Sequence, residues 1–238
     1  MVKKTPRQPK PRQFRYRKPF FQVYQLKVAL KGIKPLVWRR LQVPDSYTFW
    51  DLHCAITDAF GWLDSHLHQF TIHLPDQNDT ATIGIPDEDG FSDDVILPCW
   101  ELKLSDYFSK DCPSCEYTYD FGDDWEHSVV LEGILPKEAS AIYPRCISGD
   151  NACPPEDCGG VMGYQEFLKT IADPKAEEHD RLLEWVGGWF DPAWFDLSLI
   201  QFASPAVRYA IAFKGKPVPK SMRVVQYHLM RRGWFKSI

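Results

Sequence analysis

No run of about 18 consecutive apolar residues occurs in the chain, so it offers no membrane-spanning helix. The first twenty residues, MVKKTPRQPKPRQFRYRKPF, also lack the short apolar stretch of a signal peptide, and the chain reads as soluble and cytoplasmic with no membrane partner. A Walker loop, a dinucleotide-binding glycine motif, a Gly-x-Ser-x-Gly elbow and a His-Glu-x-x-His pair are all missing, which sets aside the common nucleotide-dependent, serine-hydrolase and zincin classes. Asp120-Phe121-Gly122 spells a kinase tripeptide, but no His-Arg-Asp loop or Gly-rich loop accompanies it. Seven cysteines, an odd number in such a compartment, point to thiols or metal ligands rather than a disulfide framework.

Acid is missing from both ends. Residues 1–20 carry Lys3, Lys4, Arg7, Lys10, Arg12, Arg15, Arg17 and Lys18 against no Asp or Glu, and Leu197 onward carries eight more basic residues, again without an acid. Of the 28 basic groups only twelve remain for the middle, against all 32 acids, so residues 21–196 hold a net charge of −20. Blocks of opposite sign attract one another and also attract external partners, so a nucleic-acid tail and an intramolecular clamp both fit.

What is present supports one main domain. With 44% hydrophobic residues, 238 positions suffice for one substantial core plus tails. The Pro-rich basic segment 1–20 reads as a disordered arm. Tyr24, Leu26, Val28 and Leu30 alternate as in a strand, and after the turn KGIKP a second strand places Val37, Leu41 and Val43 on one face and Trp38, Arg40 and Gln42 on the other. Thr48 with Asp51 marks a helix start, Phe49 to Phe60 follows at helical spacing, and Gly61 ends it. HLHQFTIHL gives a third strand, and residues 75–98 a long connection with at most a short strand. EYTYDF and EHSVVLEGIL form a second hairpin, and GYQEFLKTIADP and EEHDRLLEWVGGWF are helical. The expected fold is α+β: a mixed β-sheet over a helix, β-grasp-like in its strand-strand-helix-strand start, with C-terminal helices. The expected divisions are the arm 1–20, a domain 21–200 and a basic C-terminal extension 201–238.

GIKPLVWRRLQVP, DLHCAITDAFGWLDSHLHQF, YTYDFGDDWEHSVVLEGIL, ACPPEDCGGVMGY and FDPAWFD occur in an order that resembles the plasmid pRiA4b ORF-3-like family, over residues 21–200. The resemblance implies a mobile-element-associated protein and carries no activity with it.

Three constellations are candidate sites. Cys112, Cys115, Cys153 and Cys158, with Cys146 as a substitute, form a thiolate set for a structural zinc. The competing reading makes CPPEDCGG a stiff turn whose Glu156 and Asp157 sit at a helix start and whose glycines allow close packing. His66 and His68, two apart on one expected strand, combine with Asp120, Asp123, Asp124 and His127 into a cluster that could hold a divalent ion and activate water, with nucleic acid as one substrate. The alternative there is two histidines capping the core beside a polar turn. Finally, Trp38 and Arg40 with Gln25 and Lys27 mix aromatic and basic groups on the outer face of the first hairpin, and EWVGGWFDPAWFD reads mainly as packing. The sequence therefore favours a non-enzymatic interaction module, its basic ends engaging nucleic acid or an acidic protein. A metal-dependent hydrolase is the alternative.

Overall fold

The computed structural model describes residues 18–74, 79–86 and 95–214. Lys3, Lys4, Arg7, Lys10, Arg12, Arg15 and Arg17 lie outside the described residues, as does the basic segment beyond 214.

β1 (Gln22–Leu30) and β2 (Trp38–Pro44) form the first hairpin, and α1 (Phe49–Phe60) leads to β3 (His68–Leu74). β4 (Asp79–Gly84) and β5 (Ile96–Pro98) occupy the stretch expected to be mostly loop. The second hairpin is β6 (Ser114–Tyr119) and β7 (Trp125–Pro136), followed by β8 (Arg145–Asp150), α2 (Gly160–Ala172), α3 (His179–Trp185) and α4 (Pro205–Lys214). All eight strands join one sheet in the order β5-β4-β3-β6-β7-β1-β2-β8, antiparallel except for the β4–β5 pair. The molecule is thus α+β, a mixed sheet lying over a helix after a strand-strand-helix-strand start.

One face of the sheet is apolar because the period-2 positions are. Leu26, Val28 and Leu30 of β1, Phe70 and Ile72 of β3, Tyr117 and Tyr119 of β6 and Trp125 and Val129 of β7 are all buried, and α1 packs its Phe49, Leu52, Ile56 and Phe60 into the same core. Both ends of α1 follow from sequence. The Thr48 hydroxyl accepts from the Asp51 N–H at 3.2 Å while the Asp51 carboxylate accepts from the Thr48 N–H, and Gly61 takes φ 89° and returns its N–H to Thr57.

The opposite face is a polar ladder. Where β7 bulges against β1, Glu132 is the extra residue, and its carboxylate receives the Arg40 guanidinium at two points and the Gln25 amide. Lys27 and Arg40 lie over the Trp38 ring at 5.2 and 5.1 Å. The cation and ring expected at a partner surface are therefore engaged with their own neighbours.

Arg39 shares the inward phase of Val37 and Leu41 and is 3% exposed. Its guanidinium donates to four backbone carbonyls: Ala59 at the end of α1, Trp38 of its own strand, and Asp150 and Asn151 leaving β8. It also lies over Phe60 and Phe195, at 5.2 and 4.2 Å. Part of the expected C-terminal extension belongs to this body: α4 rests on α1, where Arg208 pairs with Asp58 and Asp64 and the Trp50 indole donates to Pro205. In the aromatic run 184–196, Phe190 packs on Tyr164 and Phe167 while Trp189 stays exposed.

Replacing Arg39 leaves four carbonyls without their donor. Arg39→Met and Arg39→Lys should each lower unfolding free energy by about 3–5 kcal/mol, since an ammonium cannot reproduce the planar fork. Urea denaturation measures this, and a Lys variant as stable as the parent would contradict it.

Candidate metal centre

β3 begins at His68, so His66 stands before the strand and the two histidines do not share a face. His68 turns into the core and stacks on His53, ring centroids 3.4 Å apart and 7° from parallel. His53 in turn meets the Tyr117 hydroxyl at 2.8 Å and Asp64 at 2.7 Å. His127, buried beneath Phe60 and Trp62, holds the Tyr117 carbonyl at 3.2 Å through Nδ1. Both rings belong to the core and are corrections to the expected cluster. Burial pushes the His68 pKa well down, with the adjoining His53 acting in the same direction, and burial brings His127 to about 3.

His66 goes the other way. Its Nε2 lies 3.5 Å from Asp120 Oδ2 and 3.1 Å from Asp157 Oδ1, and ligand atoms of these three residues all fall within 4.8 Å of one another. That nitrogen is shielded from solvent and makes no hydrogen bond among the described residues; its contacts with the two carboxylates are ion-pair contacts. Two carboxylates converging on one imidazole nitrogen suit a protonated ring, and the same three groups are a donor set that a divalent cation takes. Asp123 and Asp124 contribute no atom to this group.

Each residue is aimed by local structure. Asp120 closes β6 in a left-handed conformation, φ 59°, and its N–H donates to Leu67, extending the β3–β6 ladder by one bond. Its Oδ1 accepts from the Gly122 and Asp123 N–H groups at 3.0 and 3.4 Å, an Asx turn that leaves Oδ2 to face His66. Asp157 is also left-handed, φ 58°, and its side chain is 71% exposed, so the group opens to solvent on that side.

Asp157 rides on CPPEDCGG, and here the helix-start reading needs correction. α2 is capped by Gly159 with no side-chain hydrogen bond. Glu156 instead accepts from the Tyr119 hydroxyl and the Leu63 backbone, and Tyr119 accepts from the Ser65 N–H. Burial raises the Glu156 pKa, and burial with the adjoining carboxylate raises that of Tyr119, so the phenol keeps its proton and donates. The Trp62 indole donates to Pro154, and the Gly159 N–H to Asp123. At Gly160, φ 66°, an added Cβ would sit 2.3 Å from the Asp123 carbonyl, and at Gly163 it would sit 1.9 Å from that of Cys158. The glycines let the loop press against the second hairpin. Asp157, with Glu156 and Tyr119 beneath it, is the part of this group that sequence reasoning did not place here; acids bracketed by Pro-Pro and Gly-Gly were the available signal.

The cysteines do not converge. Cys112 and Cys115 lie at the start of β6, whereas Cys158 lies beside Asp123 at the hairpin turn beyond its far end. The five residues from Cys115 to Asp120 span roughly 16 Å of strand. Cys153 is buried beside Arg39, and the Cys146 thiol donates to the Ser148 carbonyl. Burial raises these thiols, Cys158 to about 12 and Cys146 to about 11. The zinc set expected from Cys112, Cys115, Cys153 and Cys158 is thus split by the length of a strand.

Comparison with known proteins adds three findings. The family described as plasmid pRiA4b ORF-3-like protein matches residues 22–199. Uncharacterized protein y4hQ of Sinorhizobium fredii is 38% identical over 165 residues, covering 69% of this chain and 81% of its own length. A protein of unknown function from Methanosarcina mazei Go1, known from its crystal structure, is 42% identical with a TM-score of 0.71, covering 77% of this chain and all of its own.

The buried histidines set a pH dependence. His127 has a folded pKa of about 3 against an ordinary value near 6.5, so between those values the unfolded chain binds a proton the folded one does not. Its contribution is complete above about pH 6.5 and is lost as pH falls toward 3, at about 1.4 kcal/mol per pH unit. Urea denaturation of His127→Gln from pH 6 to 4 should show a shallower loss by about that slope, and equal slopes would refute the assignment.

Proposed function

We propose, from the premise that the chain belongs to the plasmid pRiA4b ORF-3-like family, that it binds a divalent cation through His66, Asp120 and Asp157 and uses it for hydrolysis. The observation that carries this reading is the convergence of one shielded, unbonded imidazole nitrogen with two carboxylates. Three protein ligands with an open side correspond to catalytic rather than structural metal sites, which close their shell with a fourth ligand. A nitrogen-and-oxygen donor set suits manganese, ferrous iron or zinc better than copper(I). Held by His66, Asp120 and Asp157, such an ion would supply activation of water for hydrolysis, and Asp157, on the solvent-facing side, would offer the outlet for the released proton. The chain's own part is to fix the ligands: the Asx turn aims Asp120, and Glu156 with Tyr119 and Leu63 anchors the loop bearing Asp157.

Titration calorimetry with MnCl2 or ZnCl2 on the metal-free full-length protein should give about one equivalent bound. His66→Ala and Asp157→Asn should each weaken binding at least about tenfold, the loss typical when even a supporting residue of a metal site is removed. Affinity should fall as pH drops, because protons compete for the imidazole and the carboxylates. Full retention of binding in His66→Ala would end the reading.

A second reading rests on the charge blocks. Sixteen of the 28 basic residues sit in two acid-free terminal segments, and the Lys18 charge acts on Asp51 at the first turn of α1. Such segments engage nucleic acid through phosphates, with affinity falling steeply as salt rises. Filter binding of duplex DNA and RNA at low salt should weaken when residues 1–20 are removed, and equal binding by the full chain and one starting at Phe21 would exclude it.

A further inference from the structure

The connection from α1 to β3 carries His66 and is held from two sides. Toward the metal site, the Trp62 indole donates to the Pro154 carbonyl at 3.1 Å, the Ser65 N–H donates to the Tyr119 hydroxyl at 3.0 Å, and His66 meets Asp120 and Asp157. On the other side, Asp64 meets the His53 ring through Oδ1 at 2.7 Å and the Arg208 guanidinium through Oδ2 at 3.2 Å. Both oxygens of this carboxylate are thus engaged, one by α1 and the other by α4.

Asp64 stands two residues before His66 and takes φ 63°. A side chain in that region is held there by its surroundings, and this one cannot turn without breaking a bond to one of two helices. Only the Asp64–Ser65 and Ser65–His66 peptides, which are rigid units, separate the anchored residue from the imidazole. A shift at Asp64 is therefore passed to His66 with little loss, and metal ligands tolerate errors of only about 0.2 Å.

Arg208 reaches this point from α4. Its side chain is 10% exposed, and besides Asp64 its guanidinium donates to the Asp58 carboxylate and to the Thr57 hydroxyl, so it spans the last turn of α1 and the connection beyond. Rings seat the rest of the helix: the Trp50 indole donates to the Pro205 carbonyl at 2.9 Å, Tyr209 lies 6.0 and 5.7 Å from Trp50 and Trp100, and Phe213 lies 5.5 and 5.1 Å from the same two. α4 begins at Pro205, beyond the residues 22–199 matched by the family, whereas Asp58, Asp64 and all three candidate ligands lie within them.

We propose that Arg208 is a positioning residue for the metal centre: through Asp64 it sets the His66 imidazole, so that cation affinity at His66, Asp120 and Asp157 depends on the docking of α4. This rests on the metal-site reading above and goes beyond it in naming what regulates the site. Coupling between two binding events is reciprocal, so a bound cation in turn holds α4 more firmly on α1.

Two measurements on the full-length protein test it. In the parent, saturating MnCl2 should slow amide hydrogen exchange across residues 209–214 several-fold, and in His66→Ala it should not. Arg208→Met, which keeps an unbranched side chain but no charge, should weaken manganese binding at least about fivefold in titration calorimetry. It should also shift the visible absorption of bound cobalt(II), which reports the geometry of the ligands and not the stability of the fold. Arg208→Lys should recover part of the affinity, since an ammonium keeps the charge without the fork. Should Arg208→Met not fold, the exchange measurement on the parent decides alone. Exchange in α4 that is indifferent to manganese, or a folded Arg208→Met variant with parental affinity and cobalt spectrum, overturns the proposal while leaving the metal site standing. Failure of the parent to take up manganese, zinc or cobalt at all overturns both.

Discussion

One buried guanidinium joins most of the parts that matter. Arg39 reaches from the second strand to the last turn of α1 and to the backbone leaving β8, and the ring of Phe195 covers it. Its partners are carbonyls, so the charge is solvated by peptide dipoles, and burial lowers its pKa. Because Asp150 and Asn151 are held there, the chain enters CPPEDCGG from a fixed point, with Trp62 taking Pro154 and Tyr119 taking Glu156 farther along. The position of Asp157 is thus referred back, through the six buried residues 151–156, to the Arg39 guanidinium.

The core around α1 is unusually polar for a sheet-and-helix packing, and the reason is the same in each case. His53, Tyr117 and Asp64 form a chain of hydrogen bonds that ends on Arg208, so α4 supplies the charge that lets α1 bury Asp58 and its neighbours. At Asp64 burial pushes upward but is outweighed by His53 and then by the Arg208 guanidinium, which hold it low, whereas burial wins at Asp58. Such a network is costly when incomplete and specific when complete. It couples α4, read from its charge alone as tail, to the centre of the domain.

Legibility followed how local the determining physics was. α1 was readable to the residue because its capping box, apolar stripe and terminal glycine all act within one helix. The first hairpin was readable from alternation, yet Arg39 was passed over although it stands in phase with Val37 and Leu41, because a charge inside a core pattern is legible only when its acceptors are known. β8 has no apolar alternation of its own, with Ile147 displaced by a bulge, and depends on pairing with β2. At the candidate site His66 and Asp120 do lie together, whereas His68 was joined to His66 by a period-2 count begun two residues too early and His127 was included for its nearness in sequence to the aspartates. Asp157 was assigned to a helix start because the turn that redirects it depends on contacts with a hairpin more than thirty residues away.

Among the described residues, five non-glycine residues take positive φ: Asp64, Asp120, Asp124, Asn151 and Asp157. Short side chains that bond to nearby backbone tolerate this conformation, and Asp and Asn do so better than other L-residues. At Asp120 and Asp157 the identity of the residue is consequently prescribed twice over, once by the shape of the main chain and once by the oxygen it presents. An alanine there confuses the two prescriptions, whereas asparagine satisfies the first and removes only the charge. The substitutions open to these positions under selection are correspondingly few: a lineage that abandoned the carboxylates could drift to Asn at little conformational cost, and retention of Asp in both places would be the record of chemistry and not of folding.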